Sequence, residues 1–256
     1  QFCSYMGKYG QARTYLQDSL AIARSIDHPA RIAAALLPLG LSALAGGDLV
    51  EAESCFLEAL ALNRALGAKR NIGSTASQLA TVRRLQGDLD AAQALYDELA
   101  TIARELEDQD SLAIALLNLA IIAVERRQPA NARALLLEAC GIATTAQSKA
   151  LGQSAVEITA ALAASLGQAR IAGRLFGAAE ELSTLSGMKR DAADEAFVRR
   201  HIDGIRTKAP TEMRSAEAQG RLVEYEEALR EVCDYLALLE GEQAGGASRE
   251  VPRSSH

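Results

Sequence analysis

The stretch GDLVEAESCFLEAL, residues 47–60, recurs as GDLDAAQALYDELA at residues 87–100, and this repetition decides the fold. The two starting glycines are 40 residues apart. Extending that step in both directions gives five equivalent positions, occupied by Gly7, Gly47, Gly87, Arg127 and Gly167. Five units in step without an insertion indicate a repeat architecture with a period of 40 residues.

Each unit predicts two helices joined by a tight turn. The first helix has a small residue at one position: Gly40, Ala80, Ala120 and Ala160. The second helix has alanine five residues after the turn: Ala12, Ala52, Ala92, Ala132 and Ala172. A bulky residue follows one helical turn later: Leu16, Phe56, Tyr96, Leu136 and Phe176. We expect the small residues to let the two backbones approach closely, while the bulky residue fills the space beside them.

The turns also carry signals for where the helices end and begin. Glycine after the first helix favours a left-handed residue at its end. Asp48 and Asp88 are placed to cap the second helix of their units, and Glu51 completes a capping box with Asp48. In the fourth unit Pro129 takes a first helical position, where its missing N–H is not needed.

Composition favours an all-α chain and disfavours several functions. Of the 256 residues 49% are hydrophobic, with alanine and leucine prominent, and no stretch alternates as a strand would. The net charge of −6 argues against direct binding of nucleic acid. The apolar run at residues 32–45 is too short to span a membrane.

The sequence shows no catalytic or metal-binding motif. It lacks GxxxxGK[ST], GxSxG and HExxH, so we expect no enzymatic activity and no cofactor. The four cysteines and three histidines are dispersed, which predicts no metal site. We interpret Cys55 and Cys140 as small core residues, and we expect a reduced, cytoplasmic setting.

The pattern of leucine and a small residue, then Gly-Asp-aliphatic-x-x-Ala, then an aromatic residue, resembles the tetratricopeptide repeat. That repeat is usually about 34 residues long, so either the helices or the loops are longer here. Two further stretches, ARIAGRLFGAAEELSTLSG (169–187) and QGRLVEYEEALREV (219–232), resemble the C-terminal end of bacterial signal-transducing ATPase and LuxR-type transcriptional regulators. The matching residues are Ala172, Arg174, Leu175, Gly177, Ala178, Ala179 and Glu180, and then Gly220, Arg221, Glu226, Glu227 and Ala228. Residues 189–213 do not align.

The resemblance implies a right-handed superhelix of five helical hairpins, at residues 1–28, 29–68, 69–108, 109–148 and 149–187. A C-terminal helical cap at 188–240 and a flexible tail at 241–256 complete the expected organisation. Only six residues precede Gly7, whereas later units have a full helix there. We therefore expect the chain to be the C-terminal part of a longer protein.

In such a superhelix the first helix of each hairpin lines the concave groove, which predicts where a partner binds. The groove positions by helical phase are Leu37, Leu41, Ser77, Thr81, Arg84, Asn118, Ile121, Glu125 and Glu157. This mixed surface suits an amphipathic helix of a partner protein or a small effector. Alternatively, the apolar side chains pack within a tight superhelix and Asn118 bonds local backbone. The cation pattern of a carboxylate clamp is absent around Asn118, which argues against a chaperone co-factor.

The leading functional hypothesis is a non-catalytic sensor or interaction region of a larger bacterial regulator. The alternative is a free-standing scaffold that bridges two proteins. We also expect a homodimer, because the face of the first-unit helix with Ala12, Leu16, Leu20 and Ala23 lacks most of its covering helix.

Overall fold

The computed structural model describes residues 9–187 and 190–246, and within them the chain forms twelve α-helices and no strand. They are α1 (Tyr9–Ser25), α2 (Pro29–Ala45), α3 (Leu49–Ala65), α4 (Lys69–Leu85), α5 (Leu89–Glu105), α6 (Gln109–Glu125), α7 (Pro129–Thr145), α8 (Lys149–Ser165), α9 (Ala169–Ser186), α10 (Ala192–Lys208), α11 (Pro210–Gly220) and α12 (Tyr225–Gly246). From α1 to α8 every helix has 17 residues and the turns between them have three. Long helices therefore account for the 40-residue unit.

The chain divides into two compact units, Gln1–Ala115 and Leu116–His256. The division falls within α6, so unit 1 contains α1 to α5 and unit 2 contains α7 to α12. None of the described helices is long and apolar enough to cross a membrane. The last helix extends to Gly246, and residues 247–256 of the expected tail lie outside the described part.

The same left-handed turn occurs every 20 residues, twice as often as the repeat that the sequence showed. Its central residue has a positive φ at eight places: Asp27, Gly47, Gly67, Gly87, Glu107, Arg127, Gln147 and Gly167. Gly187, directly after α9, also has a positive φ. At Gly47 the turn closes with the N–H of Asp48 donating to Ala43 at 2.9 Å. The expected caps are present, because Asp48 and Asp88 each accept a backbone N–H at 3.0 and 3.1 Å. Every link between repeat helices thus uses one helix-ending geometry.

The small and bulky residues of the repeat meet as predicted. A Cβ placed on Gly40 would lie 2.5 Å from the Phe56 ring, so only glycine fits opposite that phenylalanine. The alanines of the second helices from Ala52 to Ala172 are fully buried, and so are Ala80, Ala120 and Ala160 on the first helices. These contacts allow the close approach of the two helices in each hairpin.

The face of α1 that was expected to be uncovered is partly covered by its neighbours in unit 1. Leu20 and Ala23 are 8% and 4% exposed and form a core cluster with residues of α2 and α3, against which Leu16 packs. That expectation is therefore wrong for these side chains, because α2 follows α1 closely enough to bury them. The Ala12 side chain lies outside the described part.

The cap is joined to the last repeat by a close crossing of α9 and α11. A Cβ on Gly177 would overlap the backbone of Glu217, and one on Gly220 would overlap the carbonyl of Arg174. Arg174 also binds Glu231 of α12, with Nε 2.8 Å from Oε2. Both stretches that carry the regulator resemblance therefore meet at this crossing, where glycine lets two backbones touch.

The two other cap helices pack on the first helix of the last repeat. Helix α10 packs against α8, and α12 packs against α7, α8 and α9. Tyr225 at the start of α12 donates to the carbonyl of Ser148 at 3.1 Å and lies over Gly152, whose missing side chain makes room for it. Helix α8 is consequently covered on more than one side.

Candidate functional site

In unit 1 the predicted groove positions on α2 and α4 remain accessible. Leu41 is 38% exposed, and Leu37, Ser77, Thr81 and Arg84 are partly buried. Because α2 and α4 are the first helices of consecutive repeats, positions 40 residues apart lie in the same helical phase. This surface, formed by the five residues just named, is called the α2–α4 face. It combines leucine on one helix with polar side chains on the next.

Thr81 has a structural partner beneath this face. Its hydroxyl lies 3.0 Å from the hydroxyl of Tyr96, which is fully buried. Positions equivalent to Tyr96 hold Phe56, Leu136 and Phe176, which have no hydroxyl. A buried phenol needs a hydrogen-bond partner, which explains why threonine occurs in the repeat that has tyrosine at this position. Thr81 is therefore explained by the core of its own repeat.

In unit 2 the predicted groove positions on α6 differ in accessibility. Asn118 and Glu125 are partly buried, whereas Ile121 is only 2% exposed. Ile121 thus belongs to the core, which corrects its prediction as a binding residue. Glu125 accepts a hydrogen bond at 3.1 Å from Arg200 of α10.

Glu157 of α8 is a buried ion-pair partner, which also corrects the prediction. It is 5% exposed, its carboxylate lies 3.0 Å from Nε of Arg190, and it accepts a hydrogen bond from Gln153 at 3.0 Å. Burial raises the pKa of Glu157, while the attraction of Arg190 opposes that rise. Arg190 also binds Glu180 and Glu195, both at 2.8 Å. The segment that leads into α10 is therefore anchored where a partner was expected.

A cleft of about 800 Å³ opens in unit 2 between the ends of α6 and α8, the start of α7 and the side of α10. Its lining includes Glu125, Leu162, Arg200, His201, Ile205 and Lys208. Gly204 also lines it, and a Cβ there would meet nothing within 4 Å. Cationic side chains at the rim and apolar ones deeper in suit an anionic molecule with an apolar part. Sequence analysis missed the α10 residues because they lie in the unaligned segment 189–213.

Among the described residues no group of three or more His, Cys, Asp or Glu could hold a metal ion. Several ionisable side chains of unit 2 instead form ion pairs between the repeats and the cap helices, such as Arg174 with Glu231 and Arg200 with Glu125.

The comparisons with known proteins agree with this architecture. Residues 71–145 match the family model of the tetratricopeptide repeat. The structure is similar to the crystal structure of BtubC (BKLC) from P. vanneervenii, with a TM-score of 0.58 and 18% sequence identity over 97% of this chain and 96% of that one. No curated protein matches the sequence. The predicted all-α fold of tetratricopeptide-like repeats is confirmed, and such repeats are protein-interaction scaffolds.

Proposed function

We propose that the chain is a non-catalytic interaction module that binds a helical segment of a partner protein on the α2–α4 face. One observation carries this proposal. The first helices of unit 1 keep Leu41 and its neighbours accessible, while α10 and α12 cover the first helix of the last repeat. Cap helices of the chain pack on α8, whereas among the described helices of unit 1 only those of the repeats pack on α2 and α4.

The composition of the α2–α4 face favours an amphipathic helix as the occupant. Leu37 and Leu41 are one turn apart on α2 and form an apolar strip. Ser77 and Arg84 on α4 lie beside it, where a polar flank of the incoming helix would face them. Apolar anchors at i and i+4 with polar neighbours are the usual features of helix-in-groove binding.

Site-specific photo-crosslinking tests the proposal. A photoreactive residue at Leu41 should yield a specific crosslinked protein in cells, and the additional change Ser77→Glu should reduce its yield. Leu57 on α3 is the matched control, because it is 45% exposed but lies on a second helix. Equal yields of the same partner from positions 41 and 57 would contradict binding on the α2–α4 face.

The wider context of this module is proposed as the sensor region of a bacterial transcriptional regulator. Support comes from the two stretches at 169–187 and 219–232, whose matching residues meet at the crossing of α9, α11 and α12. The alternative is a free-standing scaffold that bridges two proteins. The coding sequence upstream of Gln1 separates them, since an ATPase domain there is expected only for the regulator.

A small anionic effector is a second candidate ligand, favoured by the cleft in unit 2. Its volume falls in the range of small-molecule sites, and Lys208 and Arg127 provide positive charge beside the ion pair of Arg200 with Glu125. Thermal-shift measurements with a panel of anionic metabolites should find a stabilising compound, and Lys208→Ala should weaken its effect. Arg221→Ala, an exposed change outside the cleft, is the control. A stabilisation that Lys208→Ala leaves intact places the compound elsewhere.

We also propose that the chain forms a homodimer, but through a different surface from the face of Leu16, Leu20 and Ala23. Tyr15 and Ile22 of α1 and Ile26 in the turn after it are apolar and 68%, 62% and 51% exposed. Light scattering at micromolar concentration should show a dimer that Ile22→Glu dissociates. A monomer at that concentration would rule out this dimer.

A further inference from the structure

Two cysteines that are far apart in sequence lie together in unit 2. Cys140 on α7 is fully buried, and Cys233 on α12 is partly buried. Cys233 shares a cavity wall with Ala143 and Thr144 of α7, which lie about one helical turn after Cys140. Each thiol also shifts the pKa of the other, which places the two sulfurs close together. Helix α12 packs against α7, and Arg133 of α7 donates to the carbonyl of Leu236 at 2.6 Å, so the two helices are held together beside the cysteines.

Cys233 is also reachable from solvent. It lines a cavity of about 710 Å³ together with Thr144, Lys149, Tyr225, Leu229 and Arg230. Lys149, Arg230 and Glu226 place charged groups of both signs around this cavity, so a small polar oxidant can reach the thiol through it. Cys140 has no such access because it lies behind Cys233 in the core.

The two thiols have different acidities. The hydrogen bond with Cys140 lowers the pKa of Cys233 to about 7. The same hydrogen bond, together with burial, raises the pKa of Cys140 above the ordinary value of a thiol. Near neutral pH about half of the accessible sulfur is therefore thiolate while the buried one stays a thiol, which assigns Cys233 the role of nucleophile.

We propose that Cys233 and Cys140 are a peroxide-responsive redox pair that closes to a disulfide between α12 and α7. The Cys233 thiolate attacks one oxygen of hydrogen peroxide, forming an S–O bond as the O–O bond breaks. The leaving hydroxide takes up a proton, so the first step gives a sulfenic acid and water. The Cys140 sulfur then attacks Cys233, the S–O bond breaks, and the departing hydroxide takes the Cys140 proton to form a second water.

The disulfide would change how the cap is held. In the reduced protein α12 stays on the last repeats through non-covalent contacts, such as the ion pair of Arg174 with Glu231. Oxidation would link it covalently across residues that are 93 apart in the chain. Such a link restrains local opening of α12, while the α2–α4 face belongs to unit 1 and is left unchanged. The inference does not depend on the proposed partner.

Peptide mapping after peroxide treatment tests the pair. The Cys3→Ser variant is used throughout, so that the cysteines measured are Cys55, Cys140 and Cys233. One equivalent of hydrogen peroxide should produce a peptide pair linked through Cys140 and Cys233, with a mass lower by about 2 Da for the two hydrogens lost. Amide exchange in α12 should slow by about tenfold, and a dithiol reductant should reverse both changes.

Substitutions separate the two roles. Cys140→Ala should leave Cys233 as a sulfenic acid that dimedone traps, whereas Cys233→Ser should leave Cys140 reduced. Circular dichroism checks that each variant is folded, and if one is not, the mapping of the Cys3→Ser protein alone decides. Cys55 is the internal control, since burial raises its pKa. Oxidation of Cys55 as fast as Cys233, or free Cys140 after Cys233 has been oxidised, would overturn the proposal.

Discussion

Helices α2 and α8 occupy the same place in the repeat, yet the predicted groove positions are accessible on α2 and buried on α8. Position 41 on α2 holds a leucine that is 38% exposed, and the equivalent position 161 on α8 holds a fully buried alanine. Leu37 is partly buried, whereas its equivalent Glu157 is 5% exposed. Helical phase therefore predicts which side of a helix a residue is on, but it does not predict what covers that side.

The difference arises from the cap. Helices α10 and α12 pack on α8 within unit 2, and the buried residues of α8 lie all round the helix and are apolar except for Gln153, Glu157 and Thr159. A helix that is apolar all round is normally a buried one. If this account is right, contacts with the cap stabilise unit 2, whereas contacts within the repeats stabilise unit 1.

The largest effect is expected at the crossing of α9 and α11. Gly220→Ala should destabilise unit 2 by about 3 kcal/mol, because the added methyl group overlaps the Arg174 carbonyl and forces two backbones apart. Urea unfolding followed by circular dichroism measures the change.

Gly204→Ala is the matched control on α10. A Cβ there meets nothing within 4 Å, and alanine favours helix, so this variant should be more stable by about 0.5–1 kcal/mol. Equal effects of the two substitutions would mean that α11 does not cross α9 as closely as described.

The next effect concerns the buried arginine that anchors α10. Arg190→Gln should cost about 3 kcal/mol near neutral pH, since it leaves Glu157 buried without its cation. Without Arg190 the already raised pKa of Glu157 rises further. A raised pKa in the folded state contributes stability at low pH that is lost as the pH rises through it. The deficit of the variant should therefore shrink as the pH falls from about 7 towards 5.

Glu195 acts in the same direction. Its pKa is lowered mainly by the hydrogen bond from Arg190, so the wild-type protein loses that contribution as the pH falls through the lowered pKa. Adding Glu157→Gln to Arg190→Gln removes the buried carboxylate and should recover part of the stability at neutral pH. A deficit that does not change with pH would contradict the role assigned to Glu157.

Much of the fold could be predicted from the sequence because the repeat contacts are local. The alanine and aromatic series, the caps at Asp48 and Asp88, and Pro129 at a helix start follow from spacing alone. The site could not be predicted equally well. Glu157 and Ile121 were assigned to a groove because their phase matches, but their burial depends on packing in unit 2 that the repeat does not encode.

The cysteine pair shows the same limit. Cys140 is a core residue as expected, but its partner Cys233 lies 93 residues away on a cap helix, so spacing could not pair them. Contacts between residues of the same repeat can be predicted more easily, because the equivalent positions in other repeats can be compared. The match between Thr81 and Tyr96 is visible in the sequence once their equivalents in the other units are compared.

A smaller effect is expected for this pair in unit 1. Thr81→Val removes a hydroxyl that lies 3.0 Å from Oη of Tyr96 and should cost about 1 kcal/mol. In a Tyr96→Phe background the same substitution should cost less, so a double-mutant cycle measures the coupling. Additive costs would show that Thr81 is not explained by Tyr96, and would leave its position on the α2–α4 face as the reason for the threonine.

The smallest effect is expected at the left-handed turn that recurs between the repeat helices. Glu107 holds the left-handed position with φ 54°, whereas the equivalent turn at position 87 has glycine with φ 82°. A side chain in this conformation destabilises the folded state by about 1–2 kcal/mol. Glycine removes this strain, but it also makes the unfolded chain more flexible, which offsets part of the gain in stability. Glu107→Gly should therefore stabilise the protein by about 0.5–1 kcal/mol, and Gly87→Ala should destabilise it by about 1 kcal/mol. Thermal unfolding of the two variants decides the point, because shifts of the same sign would show that the two turns do not share one geometry.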